Sequence, residues 1–281
     1  MFIRPPRVQA PLPCSLLFLA PVSANWQTIP VQRYLEVLFS PAEFSALKGR
    51  NLAGTVCVVF DVLRATTSMM AALAHGASRI FPAGSIAEAL ELAGAHPGAL
   101  RAGEREGLRI RAALTGGVDF DLGNSPREFT RERVAGREII MTTTNGTRAL
   151  QACLGAKRVL VGAMVNLAAL GAWLEKRPPP RLLVVCAGTF EEAAYEDTLA
   201  AGALCDLVWN QFDERSDSAC IAREIYLGGK GDLAQALKNS KNARRLLAQP
   251  ELRGDVAFCW QRDVLPLTAE LRDGAVSLNP S

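Results

Sequence analysis

The stretch Thr55–Gly76, TVCVVFDVLRATTSMMAALAHG, decides the fold class. Its first six residues are continuously apolar and rich in β-branched side chains, the composition of a strand buried on both faces. The last nine, SMMAALAHG, favour helix, and Gly76 stands where that helix closes. A strand of this kind feeding a helix is the repeating unit of a parallel or mostly parallel sheet covered by helices.

The same alternation runs outward in both directions. YLEVLF (34–39) reads as a strand, and RIFPAG (79–84) as a short one, with Ser85 capping the helix IAEALELAGAH. ALRAG (99–103), REIIMT (137–142), KRVLVG (157–162) and RLLVVCAG (181–188) read as further strands. Asn166 is a candidate cap for the helix between the last two, and the triple proline at 178–180 is a rigid connector. EDTLAAGALCDLVWNQF (196–212) reads as an amphipathic helix. Beyond Phe212 the pattern predicts two or three helices, then a β-rich end with VAFCW (256–260) and an Asp273-Gly274 turn. The expectation is an α/β chain over 31–281, in one domain or in two subdomains dividing near 178–180. Residues 1–30 read as an irregular extension, in which CSLLFLAPVSA faintly resembles a secretory signal but is flanked and broken by Pro11, Pro13 and Pro21.

At 281 residues, 49% hydrophobic and 21% charged, the chain has the makings of a large core. The net charge of +3 comes from 31 basic and 28 acidic residues with no basic block, so a nucleic-acid partner is not expected. No run approaches the roughly 20 apolar residues of a spanning helix, so no membrane partner is expected either. Seven cysteines (14, 57, 153, 186, 205, 220, 259) show neither a CxxC pair nor zinc-ligand spacing. Several lie inside apolar runs as small hydrophobes, which favours a reducing, cytoplasmic compartment. His75 and His96 are the only histidines, leaving little material for histidine catalysis.

In such sheets ligands bind beyond the carboxyl ends of the strands, where helix N-termini favour anions. TVCVVF is followed by Asp61-Val62-Leu63-Arg64-Ala65-Thr66-Thr67, a carboxylate, a guanidinium and two hydroxyls able to hold a metal and a phosphate. The competing reading pairs Asp61 with Arg64 structurally and makes Thr66 or Thr67 a cap. ALRAG is followed by Glu104-Arg105. In DFDLGNSPREF (119–129), Ser125, Pro126 and Glu128 form a capping box, which leaves Asp121 and Asn124 unexplained. REIIM is followed by Thr142-Thr143-Thr144-Asn145-Gly146-Thr147, an anion nest if Asn-Gly turns left-handed and an ordinary tight turn otherwise. Glu196 and Asp197 follow RLLVVCAG, in a first helical turn where the dipole favours acids anyway.

DVLRATT (61–67), GER (103–105), FDLGNSPREF (120–129), TTTNGT (142–147) and CAG with YEDTLAAG (186–188, 195–202) together resemble the 2-phosphosulfolactate phosphatase family. The resemblance runs from about Val31 to the C-terminus. It implies a three-layer α/β/α fold with a mostly parallel or mixed sheet. It also implies Mg²⁺-dependent hydrolysis of 2-phospho-3-sulfolactate to 3-sulfolactate and phosphate, a step toward coenzyme M. The chain departs from the family's GERGG at Gly103-Glu104-Arg105-Glu106-Gly107 and has a longer link through Leu114, Thr115 and Gly116, a change that bears on which acid is accepted.

On this reading Asp61, Arg64 and Glu104 are catalytic, and Asp61, Glu104, Asp121 and Asp197 are the Mg²⁺ ligands. Thr66, Thr67, Arg105, Asn124, Thr143, Thr144, Asn145, Gly146 and Thr147 contact a small phosphorylated or sulfonated acid. A metal-bound water attacks phosphorus, or Asp61 does so itself; the haloacid-dehalogenase phosphatases use DxDxT, and here Leu63 replaces the second acid. The alternatives are a phosphoryl transferase, a sugar-phosphate isomerase and a non-catalytic anion binder. GxxxxGK[ST] and GxGxxG are absent, which weakens nucleotide-dependent versions. A homo-oligomer is compatible on general grounds.

Overall fold

Strand β2 (Thr55–Phe60) sends alternate side chains into two separate cores in the computed structural model, which describes residues 32–279. Cys57 and Val59 pack with Met69, Met70, Leu73 and Leu150 on one face, while Val56, Val58 and Phe60 pack with Leu170, Leu174, Leu204 and Tyr226 on the other. Period-two alternation with both faces apolar accounts for the continuous run in the sequence. Helices therefore cover both faces of one sheet, giving the expected three-layer α/β/α arrangement.

In chain order the strands are β1 (Tyr34–Leu38), β2, β3 (Arg79–Ala83), β4 (Leu100–Arg105), β5 (Leu108–Arg109), β6 (Glu138–Thr142), β7 (Arg158–Gly162), β8 (Arg181–Cys186), β9 (Glu214–Arg215), β10 (Ala269–Arg272) and β11 (Ala275–Leu278). The described residues form an 11-stranded sheet ordered β5-β4-β6-β3-β11-β10-β7-β2-β8-β1-β9. β7, β2, β8, β1 and β9 are mutually parallel, and so are β3, β6 and β4. Between these groups lies the β10–β11 hairpin, antiparallel to β7 on one side and to β3 on the other. Its turn is the expected Asp273-Gly274 pair, at φ 52° and 78°. The sheet is thus mixed. The strand ends meet through connecting segments and not along one flat parallel edge. The helix Gly146–Ala152 spans the groups: Gly146 lies against Asp61 after β2, and Gln151 Nε2 donates to Pro82 O in β3 at 3.1 Å.

Some local expectations change. VAFCW is not a strand but the end of the helix Arg253–Cys259. Val256 and Cys259 are buried and Leu252 and Trp260 half-buried in the same core, so the apolar spacing is helical, which the β-rich composition concealed. Asn166 does not cap the helix Leu167–Lys176; its Oδ1 accepts from Ala163 N and its Nδ2 donates to Val161 O and Leu267 O. Ser85 does cap, accepting from Glu88 N. Gln32–Ser281 form one compact unit, continuous through the triple proline. Among the described residues no helix is long and apolar enough to cross a membrane, and the six described cysteines are free. Cys14 and the signal-like run lie outside the described residues.

Candidate active site

Asp61 leaves β2 into a loop that holds itself together. Thr66 Oγ1 accepts from Asp61 N at 3.0 Å and donates to Asp61 O at 2.9 Å, and Thr67 Oγ1 donates to Val62 O at 3.0 Å. Both threonines are fully buried with their hydroxyls on the loop backbone, and neither lines the pocket where their expected role as substrate contacts would place them. Asp61 Oδ1 accepts from Ala65 N, and a Cβ on Gly146 would lie 2.5 Å from Oδ2. Gly146 is therefore required by close approach, and its place as the first residue of a helix replaces the left-handed turn expected from Asn-Gly. Burial pushes the Asp61 carboxyl up to about 7, with Glu104 and Glu196 adding to the rise and the Ala65 amide opposing it.

Arg64 does not pair with Asp61. It is 3% exposed, and its Nη1 meets Asp255 Oδ2 at 2.7 Å while Nη2 donates to Gly107 O at 2.7 Å. Asp255 Oδ1 accepts from Ser125 Oγ at 2.6 Å and Arg127 Nε at 2.7 Å. The expected Ser125 capping box is not formed: its hydroxyl goes to Asp255, and Glu128 reaches Gly123 N instead.

Glu104, at the end of β4, accepts from Thr144 N and Thr144 Oγ1, both at 2.9 Å, and from Gly107 N at 2.7 Å. Two strand ends are thereby tied at the pocket wall. The first amides of the expected nest are already taken, Thr144 N by Glu104 and Thr143 N by Thr147 Oγ1. Thr143 and Thr147 bond each other in the interior and do not line the pocket. Arg105 turns away: Nη1 donates to Glu104 O and Nη2 to Thr142 Oγ1, and burial lowers its pKa. Asp121 is also elsewhere, accepting from Arg101 N and Nε.

Asp197 is buried behind the loop, with Oδ1 on Val62 N and Oδ2 on Gly188 N. Burial, Glu196 and Asp61 hold its pKa well above the usual carboxylate range. It positions the two loops and does not line the pocket. Among the described residues no three His, Cys, Asp or Glu side chains stand close enough to form a metal cluster, so the four-carboxylate ligand set is not assembled.

What does meet in one pocket is Asp61, Arg64, Glu104, Asn124, Thr144 and Asn145 from the sequence-derived set. Gly107, Phe190, Asn242 and Arg245 join them. Asn145 Nδ2 donates to Phe190 O, and Ser68 Oγ holds Asn124 through its carbonyl. Asn124 Oδ1 is buried without a partner. Asp255 and Arg245 carried no usable signal in the sequence: an acid in a first helical turn reads as dipole compensation, and KNARRLL as a solvated face.

Fold and pocket define a three-layer α/β protein whose pocket is lined by carboxylates, amides and guanidinium groups. Residues 43–274 match the 2-phosphosulpholactate phosphatase family, and the chain belongs to it. A protein of Symbiobacterium thermophilum, named "Probable 2-phosphosulfolactate phosphatase", is 38% identical over 81% of this chain and 96% of its own length. A relative of the same name in Caldanaerobacter subterraneus subsp. tengcongensis is 34% identical over 83% of the chain and 94% of its own length. Another in Clostridium acetobutylicum is 30% identical over 82% and 95%.

Proposed function

We propose that this chain is a Mg²⁺-dependent phosphatase that hydrolyses 2-phospho-3-sulfolactate to 3-sulfolactate and inorganic phosphate. The observation that carries the reading is the meeting of Asp61, Arg64 and Glu104 in one pocket, with Arg64 fixed by a buried carboxylate. Such a site suits an ester whose transferring group is multiply charged.

Two oxygens in the pocket fit a hard cation. Asn124 Oδ1 is buried without a hydrogen-bond partner, and Asp61 is a carboxylate whose pKa is raised by burial. Mg²⁺ takes oxygen ligands, needs only one or two from protein and keeps several waters, so Asp61 and Asn124 would hold it. When bound, it offsets charge on the phosphoryl oxygens. The remaining work belongs to the chain. Arg64 grips a phosphoryl oxygen, its fork already aimed by Asp255 and Gly107 O. Glu104, kept in place by three hydrogen bonds, accepts the proton of the water that attacks phosphorus and returns it to the 2-oxygen of sulfolactate as the P–O ester bond breaks.

Phosphate release from 2-phospho-3-sulfolactate, with Mg²⁺ and with chelator, tests the reading. Rapid release that chelator abolishes is expected. Release unchanged by chelator would remove the metal, and no release from any phosphorylated acid would leave a binder of small anions.

A further inference from the structure

Two guanidinium groups converge over one glycine. Gly107 sits at φ +85° in the β4–β5 turn, and a Cβ added there would lie 3.8 Å from Arg64 Nη2 and 3.7 Å from Arg245 Nη2. Both cations thus face the same few ångströms of pocket, yet only one is neutralised by protein. Arg64 has Asp255. Arg245 forms no ion pair among the described residues; its Nη2 donates to Asn242 Oδ1 at 3.1 Å and its guanidinium lies 5.8 Å from the centre of the Phe190 ring. Its Nε is buried without a partner.

This arginine is aimed. Asn242 is itself fixed, its Nδ2 donating to Leu63 O at 2.8 Å and to Glu196 Oε1 at 3.1 Å, while Ser240 Oγ holds Glu196 Oε2 at 2.6 Å. Of the two cations that meet over Gly107 only one is ion-paired within the described residues, and the other calls for an anion from outside the chain. Depth separates the two arginines: Arg64 is 3% exposed and marks the floor, whereas Arg245 is half-buried and lies over Phe190, which is 50% exposed and marks the mouth.

We infer that Arg245 binds one of the two acid groups the substrate carries besides its ester, the sulfonate or the carboxylate, and so selects phosphoesters that bear a further anion. This rests on the reading of the pocket as a site for a phosphorylated acid. The ester lies at the floor by Asp61 and Arg64, and the acid group points to the mouth.

The test compares Arg245→Gln and Arg245→Lys with the unaltered protein on 2-phospho-3-sulfolactate and on glycerol 2-phosphate, a secondary phosphoester with no acid group. Arg245→Gln is expected to lower kcat/KM about 100-fold on the first ester, mostly through KM, and under about 3-fold on the second, with partial recovery in Arg245→Lys. Equal losses on both esters, or none, would overturn the inference. Calorimetric binding of 3-sulfolactate and of inorganic phosphate gives a second readout that needs no turnover. Arg245→Gln should weaken the first at least about 10-fold and spare the second. If the unaltered protein hydrolyses no ester, the phosphatase reading fails while calorimetry still decides the role of Arg245; if it does not bind 3-sulfolactate, the inference fails.

Discussion

Asp61 is a carboxylate placed where charge is costly, and its behaviour with pH follows from that. Its folded pKa of about 7 stands above the ordinary 3.8 because burial disfavours the anion. A group whose proton is held more tightly in the folded state contributes stability that is complete below the unfolded pKa and is lost as pH rises through the folded one. In chelator, the melting temperature should therefore fall between about pH 4 and pH 7. Asp61→Asn should flatten that fall, matching the unaltered protein near pH 4 and exceeding it at pH 8 by a few kcal/mol on order-of-magnitude grounds. The same substitution should lower kcat about 10³-fold or more with Mg²⁺ present, measured by phosphate release. A variant that is both active and no more stable at pH 8 would refute the role given to Asp61. The sequence made Asp61 legible as an acid at the end of a wholly apolar strand, with structural pairing to Arg64 as the competing reading that the Arg64–Asp255 pair removes. It could not separate Thr66 and Thr67, whose hydroxyls satisfy backbone groups, from ligand contacts, since both uses call for the same residue type.

Among elements, the two helices that frame the pocket do so by different means. The helix Gly146–Ala152 touches Asp61 through its first residue, where no side chain fits. Gly146→Ala should displace Asp61 or the helix, costing about 1–3 kcal/mol in denaturant unfolding and most of the activity. Activity and stability both unchanged would mean that the contact is slack. The helix Arg253–Cys259 acts at a distance, through Asp255. Removing that carboxylate strands Arg64 and weakens the hold on Arg127, so Asp255→Ala should cost about 3–5 kcal/mol. Asp255→Asn keeps the shape and one acceptor, and its main effect should be a raised KM from an Arg64 free to swing. Of the first, only the hydroxyls and amide of Thr142–Thr147 were visible in the sequence, and they read as a nest or a tight turn and not as the start of a helix. The second was not visible, because its apolar residues include β-branched and aromatic types that mimic a strand, and only the spacing of Leu252, Val256 and Cys259 gives the helix away. Glu106, where the chain departs from the family's GERGG, forms the β4–β5 turn with Gly107, and both line the pocket.

For the molecule as a whole, alternation of strand and helix was enough to give an α/β sheet covered on both faces, but not the sheet's order. Strand partners are set by long-range packing that leaves no trace in local periodicity, and the Asp273-Gly274 turn announced a hairpin without saying where it docks. It docks centrally, with Leu271 opposite Val159 and Val276 opposite Ile80. Glu270 adds an ion pair to Arg158 at 2.6 Å. A chain ended after Pro266 should leave β7 and β3 as bare edges and be recovered in the insoluble fraction, checked by sedimentation after expression. Soluble, monomeric product with native circular dichroism would show that the two strand groups hold together unaided. The hairpin's place in the order of synthesis has a further consequence. In synthesis, β7 and β3 both precede the hairpin that stands between them in the sheet, and Asp255, which aims Arg64, also comes late. Nascent or prematurely ended chains consequently carry every residue of the DVLRATT loop yet no working pocket, so activity begins only when nearly the whole polypeptide has been made.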